Sequence, residues 1–207
     1  MLNSQGLNSP PYMDTLPATR DRIISMADDL FYQHGYDHTT FADIATAVGL
    51  SRGNFYHHFK SKDEILLAVI ALRRDKTLAM LQQWSEQGQQ PQARLASFID
   101  MMQMNSTRIS RNGCPVGSLC SELAKLEHPA LPNASQLVVL FRDWLALQFT
   151  ELGLAAQAQA LAMHLLARSQ GIATLAHALQ DEAFIHTEVS QLHQWLAAVI
   201  DSAAQAD

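Results

Sequence analysis

The chain has 207 residues, 48% of them hydrophobic, with seven prolines and a formal charge of −6 at neutral pH. That length permits one or two domains around a substantial core, and the apolar content excludes a chain disordered throughout. The acidic balance excludes a protein that coats nucleic acid indiscriminately, because Lys and Arg supply most nonspecific phosphate affinity, yet it leaves room for a small basic face.

Residues 1–16 are rich in Asn, Ser, Pro and Gly and read as a flexible arm. No basic start leads into an apolar run, and no apolar segment approaches the ~20 residues needed to cross a bilayer, so a soluble, cytoplasmic protein with no membrane partner is expected. Residues 17–34 carry Ile23, Ile24, Ala27, Leu30 and Phe31 at helical spacing, with Gly35 as a stop. Arg20 and Arg22 either touch phosphate or are ordinary solvated charges.

The stretch 39–66 organises the rest. Thr39 or Thr40 caps a helix in which Phe41, Ile44, Ala45 and Val48 recur at the i, i+3, i+4, i+7 spacing of one buried face. Gly49 suits a left-handed turn, Leu50 plugs the core, and Ser51 caps a second short helix. There Phe55 and Phe59 share a face, Arg52, Asn54, Tyr56 and His57 fall around the other sides, and Gly53 leaves room for close approach. A third helix starts near Ser61, whose hydroxyl stands three residues before Glu64, with Lys62 beside its phosphate-facing N-terminus. Residues 46–62 contain no acid and hold Arg52, Lys60 and Lys62. A short helix held rigidly by a partner, offering hydrogen-bonding groups on its outer face, is what reading a major groove requires.

These residues resemble the DNA-binding signature of the TetR-type one-component transcriptional regulators. The resemblance is carried by Thr40, Ile44, Ala45, Val48, Gly49, Leu50, Ser51, Gly53, Phe55, Tyr56, His58, Phe59, Ser61, Lys62 and Leu66. It implies that Tyr56 and Lys62 grip phosphates, that Arg52, Asn54 and His57 face bases, and that Thr40 binds backbone. With Ser51, Gly53 and Lys60 these form the expected DNA-binding set. Phe55, His58 and Phe59 are read as core, and a simply packed ring is the alternative for Tyr56.

The third helix continues through Ile65, Leu66, Val69, Ile70 and Leu72 to Trp84, too long for a DNA-binding head alone, and Gly88 with Pro91 marks its end. In the family such a helix connects head to regulatory domain. Residues 91–110 read as one helix with Leu95, Phe98, Ile99, Met102, Ser106 and Ile109 in a stripe. Met101 and Met104 on a second face either line a ligand cavity or are plain core. After the loop at 111–114 a helix opens at Pro115, which puts Cys114 at its N-cap. The positive end of the helix dipole favours a thiolate there, making Cys114 the redox-sensing candidate; the alternative is a buried structural cysteine. Gly-Cys-Pro-x-Gly followed by Ser121, Glu122 and Leu123 resembles a helix start in one TetR subgroup, some members of which respond to electrophiles. Two cysteines make neither a disulfide framework nor a zinc pattern, and Cys120 lies about 240° around the helix from Cys114.

Pro129 and Pro132 begin a helix carrying Leu137, Leu140, Phe141, Trp144, Leu145, Gln148 and Phe149 before Gly153, with Phe141 and Trp144 as pocket walls. Two long helices, about 155–179 and 182–202, follow; Ala167, Gly171 and Ala178 permit close helix approach, and Met163 and His164 complete the expected pocket set. By resemblance these last two helices pair with their copies in a second subunit.

The expectation is an all-α protein of about nine helices: a flexible arm (1–16), a three-helix helix-turn-helix DNA-binding domain (17–66) and a larger helical ligand-binding and dimerisation domain (67–207). Its expected role is that of a homodimeric repressor, released from a double-stranded operator by an unknown small-molecule inducer or by modification of Cys114. No catalytic residue, metal or cofactor is expected. A thiol-dependent enzyme and a helical protein-binding adaptor are the rivals, but Cys114-Pro115 follows no strand-like run, and an adaptor leaves the pattern between Ser51 and Lys62 without a purpose.

Overall fold

A computed structural model describes residues 19–87 and 90–204, the side chains of Arg52 and Ala204 excepted. The arm expected at 1–16 and the stop expected at Gly88 lie outside the described residues. Those residues form ten helices and no strand: α1 (Thr19–His34), α2 (Phe41–Val48), α3 (Arg52–His58), α4 (Lys62–Gln87), α5 (Pro91–Met104), α6 (Ser106–Asn112), α7 (Pro115–Lys125), α8 (Leu131–Glu151), α9 (Ala158–Leu179) and α10 (Glu182–Ala204). None is long and apolar enough to cross a membrane.

The helix starts follow local chemistry. Thr40 closes a capping box on α2: its Oγ1 accepts from the Asp43 amide at 3.1 Å, and Asp43 Oδ2 accepts from the Thr40 amide at 2.8 Å. The Thr40 hydroxyl also donates to Asp43 Oδ2 at 2.7 Å, and this side-chain hydrogen bond first, with the Thr40 amide second, holds the Asp43 carboxyl below its ordinary pKa. Ser61 Oγ accepts from the Glu64 amide at 3.1 Å at the head of α4, while the Glu64 carboxylate accepts from the Lys60 amide at 2.6 Å.

The span read as one helix over 91–110 is two. Asn105 sits at φ −110°, ψ 15°, and its side-chain Nδ2 donates to the Met101 carbonyl at 2.8 Å, closing α5. Beyond the break, Ser106 Oγ and Thr107 Oγ1 donate to Glu182 at 2.6 and 2.9 Å, which aims α6 at the start of α10. A carboxylate 76 residues away therefore sets this boundary.

Two apolar clusters hold the chain. One joins α1, α2, α3 and the first half of α4 through Ile23, Ala27, Ile44, Phe55, Phe59 and Leu66, and it also takes Leu119 and Leu123 from α7 and Ala134 from α8. The other joins α5, α6, α8, α9 and α10. Between them Arg73 of α4 is almost fully buried. Its Nε donates to Asp28 of α1 at 2.6 Å and its Nη1 to the Pro115 carbonyl at 2.6 Å, so the charge is both paired and hydrogen-bonded.

Candidate nucleic-acid interface

A seven-residue helix has no stability of its own in water, so α3 depends on tertiary packing. Phe55 is 0% exposed and Phe59 2%. Phe41 of α2 meets Phe55 edge-on at 4.6 Å between ring centroids and Tyr56 at 5.0 Å. The turn between the helices uses Gly49 in the left-handed region (φ 74°), from which the Gly49 and Leu50 amides return to the Thr46 and Ala45 carbonyls. Ser51 Oγ accepts from the Asn54 amide at 3.4 Å. Both caps fall where the residue types place them.

With Phe55 and Phe59 turned inward, Gly53, Asn54, Tyr56 and His57 are exposed along α3. Arg52 stands at its first residue. The expectation that His58 is core is corrected: His58 is exposed. The helix ends at that residue, so its periodicity carries no further, and Phe59, on extended backbone (φ −142°, ψ 141°), is the residue buried there. Nothing lies within 4 Å of a Cβ placed on Gly53, so the outer surface there is open backbone.

The cations are held locally. Lys62 Nζ donates to the Tyr36 carbonyl at 2.9 Å and lies 4.1 Å from the Tyr36 ring centroid, and Lys60 Nζ rests on the Tyr56 carbonyl. Arg22 donates to the Val48 carbonyl at 3.3 Å, at the α2 C-terminus, and Arg20 lies over the Phe59 ring. Both arginines are exposed and engaged with the head itself. Behind them Tyr36 OH donates to Asp63, with His128 Nε2 3.2 Å from the same oxygen. Burial first, and the Asp63 hydrogen bond next, push the Tyr36 phenol well above its ordinary pKa.

A cavity of about 440 Å³ opens among α1, α4, α5, α6, the first turn of α7, α8 and α9. Phe98, Met101, Met102, Cys114 and Phe141 of the expected pocket set line it. Four expected members do not. Met104 is 72% exposed, because the break at Asn105 ends α5 with that residue turned to solvent; Met163 is 49% exposed on the outer face of α9. Trp144 packs on Trp84 and donates from Nε1 to Ser85 Oγ at 3.0 Å, and His164 lies on the Trp195 ring. Sequence reasoning missed Tyr32, Arg73 and Gln170, which are among the polar residues of the wall; each is held there by a partner on another element, which no local pattern announces. Tyr32 OH donates to the Arg108 and Gly113 carbonyls at 3.0 and 2.9 Å, and burial raises its pKa.

Cys114 is the N-cap of α7, as the residue order implies. Its Sγ accepts from the Gly117 amide at 3.4 Å and from Gln170 Nε2 at 3.5 Å. Cys120 packs against the head cluster, and burial pushes its thiol pKa up. Both thiols are free.

Residues 23–69 match the family model for bacterial regulatory proteins of the tetR family. An uncharacterised HTH-type transcriptional regulator from the lacX 3′ region of Lactococcus lactis is 29% identical over 171 residues, covering 79% of this chain and 85% of that protein. The HTH-type transcriptional regulator QacR of Staphylococcus aureus is 33% identical over 73 residues, 35% of either chain, so that match spans about a third of the relative's length. The crystal structure of a TetR transcriptional regulator from Legionella pneumophila shares the fold, with a TM-score of 0.78 at 24% identity over 87% of this chain and 98% of that one.

Proposed function

The chain belongs to the TetR family of DNA-binding transcriptional regulators, and on that premise we propose that it is a homodimeric repressor released from its operator by a small molecule or by modification of Cys114. The observation that carries this reading is the outer face of α3. Asn54, Tyr56 and His57 stand exposed on a helix fixed from behind by two fully packed phenylalanines, as a probe that enters a groove must be. Arg52, Asn54 and His57 read base edges. Tyr56 and Lys62 hold phosphates, helped by Thr40, Ser51 and Lys60, while Gly53 lets the backbone approach. Lys62 has three donors, so its contacts with the Tyr36 and Asp37 carbonyls leave one for a phosphate oxygen.

A dimer needs an uncovered apolar face, and α9 supplies one. Met163, Ala167, Gly171 and Leu175 recur every four residues and are all exposed, with nothing within 4 Å of a Cβ placed on Gly171. Pairing α9 and α10 with their copies presents two α3 helices to successive major grooves, about 34 Å apart. In this division residues 17–66 read DNA and 67–207 bind the inducer and the second subunit. An inducer in the cavity acts only through its differential affinity for the DNA-competent and incompetent shapes.

The test is fluorescence anisotropy of the full-length protein on duplexes flanking its own coding sequence. One dimer per site with steeply salt-dependent affinity is expected; binding no tighter than to a scrambled duplex refutes the reading.

A further inference from the structure

Helix α7 belongs to both parts of the molecule. Its first turn, with Cys114, Pro115 and Val116, is cavity wall. Gly117 there lies so close to α9 that an added Cβ would collide with the Gln170 side chain. One turn further on, Leu119 and Leu123 enter the apolar cluster of the head.

Between those two leucines Glu122 reaches out of α7 into the loop joining α1 to α2. Its Oε2 accepts from the Tyr36 amide at 2.9 Å and its Oε1 from the Asp37 amide at 2.8 Å. Two successive backbone amides converging on one carboxylate make an anion nest, here filled by the protein's own side chain. Gly35, at φ 84°, permits it: a Cβ at that position would lie 2.9 Å from Glu122 Oε1. The loop so held also carries the Tyr36 carbonyl that receives Lys62, and it leads within three residues to Thr40, the cap of α2. At the other end of α7, Arg73 ties the Pro115 carbonyl to Asp28 of α1.

We propose that Glu122 is the positioning residue through which the cavity governs the DNA-binding head: whatever moves the first turn of α7 moves the carboxylate that fixes residues 36–40. The proposal rests on the cavity being the regulatory site. Nothing else crosses from α7 to this loop with two charge-assisted hydrogen bonds among the described residues, and such bonds are the strong ones in a partly buried setting. An occupant that crowds Cys114 and Val116 displaces α7 along or about its axis. The carboxylate then leaves the two amides, and Lys62 and Thr40 lose the backbone that orients them.

The test uses the full chain carrying Cys120→Ala, so that Cys114 is the sole thiol, with N-ethylmaleimide as the cavity probe. Sγ bonds to one alkene carbon and the thiol proton ends on the other. Amide exchange is followed by mass spectrometry over residues 35–58, with α10 as internal reference. Alkylation is expected to raise exchange over 35–58 several-fold while leaving α10 unchanged. Glu122→Ala is expected to raise it to a similar level unmodified, with alkylation adding nothing further. A merely structural role for Glu122 would give additive effects instead, so additivity overturns the proposal, as does alkylation that leaves 35–58 unchanged. Glu122→Gln keeps a carbonyl oxygen for one amide and serves if Glu122→Ala loses helical content; it is expected to fall between the two. Because exchange is read without DNA, failure of the coupling is distinguishable from failure to bind an operator.

Discussion

Replacing Tyr56 by Phe removes one hydroxyl from the proposed DNA-reading surface and nothing else. The ring is 49% exposed and rests on Phe41 at 5.0 Å between centroids, a contact that phenylalanine keeps. Stability should therefore change by less than ~0.5 kcal/mol, the range of surface substitutions. A hydrogen bond to a charged phosphate is worth about 1.5–3 kcal/mol. A dimer loses two, about 3–6 kcal/mol, which at ~1.4 kcal/mol per decade is ~10²–10⁴-fold weaker operator binding. The hydroxyl carries no charge, so the slope of log affinity against log salt stays where it was. Anisotropy titrations between roughly 50 and 200 mM salt, with a thermal melt of the same preparation, measure all three quantities. Affinity within about threefold of the parent would refute the phosphate contact, since that is below ~1 kcal/mol. A melt lowered by many degrees would show instead that the ring is packed and its hydroxyl structural.

Lys62→Ala should weaken operator binding and reduce the salt slope by ~0.9 per head, ~1.8 for the dimer. An unchanged slope would mean that Lys62 serves only to hold the Tyr36 carbonyl. Tyr32 and Tyr36 should titrate above the ordinary phenol value of ~10 in the folded protein, a shift absorbance of the phenolates reads directly. The raised pKa means that the Tyr36 contribution to stability is full below about pH 10 and is lost as pH rises above it, because the unfolded chain releases the proton first. Tyr36→Phe should remove the highest step; all four tyrosines titrating together near ~10 would contradict the burial of Tyr36 and its hydrogen bond to Asp63.

What was legible in the residues was local. Thr40, Gly49, Ser51, Ser61 with Glu64, and Cys114 before Pro115 each specify a turn or cap through atoms three or four residues apart, and the folded chain uses them so. The alternation of Phe55 and Phe59 with polar neighbours likewise announced which face of α3 is buried. Illegible were the features made by distant partners. The break at Asn105 answers to Glu182, and Arg73 is fixed by Asp28, 45 positions earlier. Residue type and periodicity place Met104, Trp144, Met163 and His164 at a cavity, but they cannot tell the inward face of a helix from the outward one once a kink or a competing tryptophan intervenes. His58 failed for a related reason: where a helix stops after seven residues, the periodicity that would bury its last member has no further turn to act on.

The loan of Leu119, Leu123 and Ala134 to the head's cluster means that the module reading the duplex is discontinuous along the chain. A fragment cut after α4 would bare an oily notch where those side chains sit, and a hybrid regulator built by joining this head to another body at one splice point would inherit a foreign helix in that notch. Transplanting the head intact therefore calls for two segments, 19–70 and 114–134, carried together.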